Sequence, residues 1–114
     1  MNNNFEKLDN QAEEGSNIAI VAYITLIGTI IAMFMNMEKK NTFASFHVRQ
    51  ALGLNIIFYG LAYIIGNIDS WIASAAFYVF FIVLWIYGFS GAIQKNKTEI
   101  PFVGKYFQNW FKNI

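Results

Sequence analysis

The chain contains no cysteine, which excludes disulfides, thiolate metal sites and thiol nucleophiles. It has one histidine, His47, so one copy cannot assemble a multi-histidine metal site. Charge is scarce as well. Asp, Glu, Lys and Arg make up 13% of the residues, about half of the ~25% usual in globular domains. The net charge of +1 lacks the basic excess of a nucleic-acid-binding protein. No cleavable signal is expected, because the first seventeen residues are acidic and Asn-rich and the first apolar run closes on Met33-Phe34-Met35-Asn36 without a small-residue cleavage pattern. Catalytic constellations are missing too. There is no Ser-His-Asp set, no intramembrane carboxylate pair and no glycine-rich phosphate loop, so neither an enzyme nor a cofactor site is expected.

What the chain has in abundance is apolar sequence. Three stretches carry no charge: Gly15 to Met37, Gln50 to Ile68 and Ser70 to Gln94. Each is long enough to match the ~20 apolar residues that cross ~30 Å of hydrocarbon as a helix. A soluble domain of 114 residues could not bury so many Phe, Ile and Tyr side chains, given its surface-to-volume ratio. The sequence therefore predicts an all-α integral membrane protein with three transmembrane helices and a C-terminal amphipathic interfacial helix.

Residues 1–17 read as a polar tail, with a weak apolar turn at Phe5 and Leu8. The membrane domain covers 18–93, with spans at about 18–35, 46–65 and 71–93. Ser16 or Asn17 is placed to start the first helix, and Thr42 or Ser45 the second. Gly53 and Gly60, seven residues apart, suit a helix-packing face. Asn55, a lone amide within the second span, suits an interhelical hydrogen bond. Gly66-Asn67-Ile68-Asp69-Ser70 predicts a tight turn. Trp71 and Trp85 are placed as interfacial anchors of the third span.

Residues 94–114 form a linker and the interfacial helix. Phe102, Val103, Tyr106, Phe107, Trp110, Phe111 and Ile114 recur at helical spacing opposite Lys105, Gln108, Asn109, Lys112 and Asn113. Such a helix is too short to span and suits the membrane surface, with Phe107 and Trp110 as anchors. Basic residues cluster at Lys39, Lys40 and Arg49 and again at Lys95, Lys97, Lys105 and Lys112. The positive-inside rule then predicts a multi-pass protein of the inner (plasma) membrane, with its N-terminus outside and its C-terminus cytoplasmic.

The candidate site is Phe46-His47-Val48-Arg49-Gln50. His47 and Gln50 share a helix face. They suit either a polar site at the cytoplasmic helix entrance or an anchor for the first loop, with Arg49 meeting lipid phosphates. Glu38-Lys39-Lys40-Asn41, followed by Phe46-His47-x-x-Gln50-Ala51 and by Gly91-Ala92 through Pro101-x-x-Gly104, resembles a bacterial family of small membrane proteins. That family is related to the twenty-kilodalton Tic subunit of the chloroplast inner-envelope import translocon. The resemblance implies a non-enzymatic component that assists polypeptide or cargo passage. It carries over only Phe46, His47 and Gln50, without a chemical role for them. The chloroplast relatives have four membrane helices, whereas this sequence predicts three and an amphipathic helix. Two other expectations remain beside this one: a small channel or transporter subunit, and a lipid-sensing or membrane-shaping protein acting through 101–114. Expected partners are membrane lipids, further copies or other membrane proteins, with no nucleic acid.

Overall fold

A computed structural model describes the backbone from residue 3 to residue 114 and the side chains from residue 11 onward. The fold is all-helical over these residues, in the order α1 (Asn3–Ile24), α2 (Leu26–Lys39), α3 (Thr42–Gly66), α4 (Trp71–Ile93) and α5 (Gly104–Trp110). Two helices, α3 and α4, are long and apolar enough to cross a membrane. The polar segment expected as a tail is helical from Asn3 on and runs without a break into the first apolar stretch. The weak turn at Phe5 and Leu8, and the side chains of Glu6, Lys7 and Asp9, lie outside the described residues.

The first uncharged stretch does not form a span. It breaks at Thr25, whose extended backbone (φ −153°, ψ 175°) starts α2, with the Thr25 hydroxyl accepting from the Gly28 amide. Chain direction reverses there, and α1 and α2 pack side by side as a hairpin. A Cβ added at Gly28 would lie 2.3 Å from the Val21 carbonyl oxygen, so only glycine lets the two backbones come this close. At the open end of the hairpin the Asn41 amide donates to the Gln11 carbonyl at 2.9 Å, and Thr42 pairs with the Gln11 side chain. Residue 11 and the 40–42 connection therefore share one end of the molecule, which corrects the expectation that the N-terminal segment and the first loop lie on opposite sides.

A helix that breaks within an apolar run exposes carbonyls that hydrocarbon cannot solvate, at several kcal/mol each. Here side chains meet them. The Thr29 hydroxyl donates to the Ala22 carbonyl at 2.6 Å, and the Trp85 indole donates to the Tyr23 carbonyl at 2.7 Å. Asn55 donates to the Thr29 hydroxyl at 2.8 Å, joining α3 to α2. The hairpin tip thus stops beside Asn55, near the middle of α3, and beside Trp85 of α4. It overlooks an apolar cleft of about 330 Å³ lined by Leu54, Phe58, Tyr78 and Phe81.

Packing is concentrated at the end where the hairpin opens. Ile18, Ala19, Ala22, Tyr23, Phe43, Ala44, Val48 and Ala51 form one core there, and Leu54, Phe81, Leu84, Ile100 and Phe107 continue it. From Asn55 through Ala76 no residue is fully buried. That part is a bare pair of helices closed by the 66–70 turn, with Tyr63 78% and Trp71 79% exposed. Apolar surface this extensive is untenable in water and suits lipid.

The C-terminal helix is shorter than its periodicity predicts, because 101–103 and 111–113 are turns. Its apolar residues also divide into two faces. Phe107 is fully buried against Gly53, where an added Cβ would sit 2.3 Å from the ring. Phe102, Tyr106 and Trp110 point outward. Phe107 is therefore a core residue and not an interfacial anchor.

Candidate functional site

His47 and Gln50 lie one turn apart on α3 and are both fully buried. Their partners come from two distant segments. The His47 Nε2 lies 2.8 Å from the Asn96 carbonyl, which can only accept, so Nε2 carries the ring proton. Nδ1 then accepts from the Tyr23 hydroxyl at 2.8 Å. The Tyr23 oxygen in turn accepts from Gln50 Nε2 at 3.0 Å. The second Nε2 hydrogen of Gln50 goes to the Thr98 carbonyl at 3.1 Å, and Gln50 Oε1 accepts from the Ile100 amide at 2.7 Å. The opposite amide orientation would set oxygen against the Thr98 carbonyl and nitrogen against the Ile100 amide, so the network admits one arrangement.

This is a closed clasp. It ties α1 through Tyr23, α3 through His47 and Gln50, and the 96–100 segment through its backbone. Among the described residues no buried side-chain nitrogen or oxygen lacks a partner, so no polar atom of the clasp points at a vacant ligand position. Aromatic edges enclose His47. The rings of Phe43, Phe46 and Tyr23 lie 4.8, 5.1 and 5.5 Å from it, all at steep angles. The network satisfies itself, and its evident chemistry is positional: it fixes the hairpin and the post-α4 strap on the open end of α3.

Arg49, expected at lipid phosphates, instead closes the C-terminal end of α5. Its guanidinium donates to the Phe111 carbonyl at 3.1 Å, the Lys112 carbonyl at 2.9 Å and the Gln108 side chain at 3.3 Å. Those carbonyls belong to the turn that directly follows α5, at the helix end where a cation is favoured. Gln108 returns a bond to the Phe46 carbonyl at 2.8 Å. A second polar cluster closes the hairpin base: Asn36 donates to Ser45 Oγ at 2.7 Å and to the Asn41 carbonyl at 3.1 Å. Asn41 caps α3 through the Ala44 amide at 2.9 Å, in place of Thr42 or Ser45.

The remaining sequence candidates scatter. Gly53 houses Phe107, whereas Gly60 has no atom within 4 Å of an added Cβ, so the two do not form a common packing face within the chain. Trp85, expected as an interfacial anchor, bonds the Tyr23 carbonyl at the hairpin tip. Trp71 and Trp110 are exposed at opposite ends. Sequence reasoning missed Tyr23, Thr29 and Asn36. Tyr23-Ile24-Thr25 followed by Gly28-Thr29, polar and small residues interrupting an apolar run, was the available signal.

Fold and clasp together define a small all-helical protein with two helices long and apolar enough to cross a membrane, in which a self-satisfied polar network holds a helical hairpin against that pair. The chain belongs to the magnetosome magnetite crystal formation protein family (MamF/MmsF), whose family model matches residues 9–107. This corrects the import reading, since the family that covers nearly all of the chain is one of magnetite crystal formation and not of Tic-type import components. No curated protein and no solved structure matches the chain.

Proposed function

We propose that the chain is a non-catalytic integral protein of the magnetosome membrane that serves magnetite crystal formation from within the bilayer. The family match over residues 9–107 carries this reading. The two apolar helices supply the membrane attachment it needs. The proposed contribution is to the membrane around the mineral.

In this reading α3 and α4 span the bilayer and the α1–α2 hairpin enters it from one side and returns. Both terminal segments and the basic residues occupy that side, which is cytoplasmic by the positive-inside rule. Deletion of the gene in a magnetite-forming host is the test. Altered crystal size or number by electron microscopy, restored by the intact gene, is the expected result. Normal crystals, or a tagged copy absent from magnetosome membranes, would refute it.

A further inference from the structure

We infer that the chain is a single-leaflet wedge that favours membrane curved convexly toward its basic end. The inference rests on the membrane embedding proposed above but not on any role in mineral formation.

The observation is an unequal helix count along the membrane normal. The molecule is long and thin, 59 × 22 × 22 Å, so the packed helices run along its length. At 1.5 Å per residue, α3 is ~37 Å long and α4 ~34 Å, enough to cross the bilayer, whereas the apolar part of α1 from Ile18 to Ile24 is only ~10 Å. The tip at Thr25 stops beside Asn55 and Trp85, about halfway along the spanning pair. Four helices therefore fill the half of the bilayer on the hairpin side, and two fill the other half. The excess is about two helix cross-sections, each ~10 Å across. α5 and the 96–100 strap add further bulk on the same side, with Phe102, Tyr106 and Trp110 facing outward.

Three features keep the tip at this depth. The Thr29 and Trp85 bonds satisfy two of the carbonyls freed at the break, those of Ala22 and Tyr23. The clasp at Tyr23 fixes α1 to α3 and the strap. The Asn36–Asn41–Ser45 cluster fixes the base of the hairpin. The hairpin therefore cannot straighten into a third span without breaking all three. Below the tip, the exposed apolar sides of Ile56, Tyr59, Tyr63 and Ile64 leave lipid to occupy the space. Extra area in one leaflet is relieved by bending toward that leaflet, so the membrane becomes convex on the basic side. With that side cytoplasmic, the curvature has the sign of a small compartment within the cell, seen from the cytoplasm.

Absence of cysteine allows clean single-site labelling. The purified full-length chain carrying Lys97→Cys is labelled with a fluorophore and reconstituted into liposomes of mixed diameter. An impermeant external quencher separates copies with the basic end outward from those with it inward. Outward copies are expected to be several-fold denser on the smallest vesicles and inward copies depleted there. Equal density in both orientations would overturn the wedge. In parallel, a nitroxide on Ile24→Cys is expected to report the depth of the bilayer centre, and a depth at the far interface would overturn it as well. Either failure leaves the magnetite reading standing, and a normal mineral phenotype on gene deletion leaves the wedge standing.

Discussion

Tyr23 is the residue on which the clasp turns. Its hydroxyl is both the donor to His47 and the acceptor from Gln50, and its carbonyl is held by Trp85. Tyr23→Phe keeps the ring but orphans His47 Nδ1 and one Gln50 hydrogen in a dry site, at about 1–3 kcal/mol for each group. The expected outcome is a clear drop in thermal midpoint in detergent, while Tyr63→Phe, at an exposed position, leaves the midpoint unchanged. Equal midpoints for both variants would show that the clasp adds no stability. Of this site, His47 and Gln50 were legible, because polar residues at i and i+3 before an apolar run share a face. Their partners were not. Tyr23 lies 24 residues before His47 and Asn96 lies 49 after it, and no local pattern connects them.

Among the elements, the α3–α4 pair was legible from length and lack of charge, because hydrocarbon allows a backbone little other than a helix. The break at Thr25 was not. Thr25-x-x-Gly28 is an ordinary cap signal that uncharged neighbours mask, and it succeeds only because Trp85 and Thr29 serve the freed carbonyls. The C-terminal helix was legible as amphipathic but not in its division into a docked and an outward face. That division depends on the vacancy at Gly53. Gly53→Ala is expected to push Phe107 out and raise amide exchange across 104–110 markedly. Gly60→Ala meets open space and should leave that exchange as it is, with helix propensity favouring it by up to about 1 kcal/mol. Matching exchange in the two variants would mean that α5 is not seated on Gly53.

At the level of the whole molecule, the hairpin brings the N-terminal segment to the same end as the 40–42 connection, so the proposed embedding puts both on one side of the bilayer. Exposed positions Glu14 and Lys97 lie at the clasp end and Asp69 at the turn end. In a host that forms no internal compartment and carries the chain in its plasma membrane, single-cysteine variants Glu14→Cys and Lys97→Cys should react with an impermeant maleimide only after permeabilisation of cells, and Asp69→Cys should react in intact cells. Labelling of Glu14→Cys from outside, with Lys97→Cys protected, would restore a three-span arrangement and remove the basis of the wedge. The same placement explains why charge alone misled. Three uncharged stretches imply three crossings only if each stretch keeps one direction, and the first does not.

By itself the sequence determined the solvent, the helical class and the end of the molecule that carries the basic residues. These follow from local length, hydropathy and charge, since in lipid each segment must satisfy its own backbone. Only the tertiary structure decided that the first stretch turns back at Thr25, that His47 and Gln50 close a clasp with Tyr23 and the 96–100 backbone, and that Phe107 lies inside. Each of those outcomes depends on a donor, acceptor or vacancy supplied by a residue far away in the chain: Trp85 for the hairpin, Tyr23 and the 96–100 backbone for the clasp, and Gly53 for Phe107.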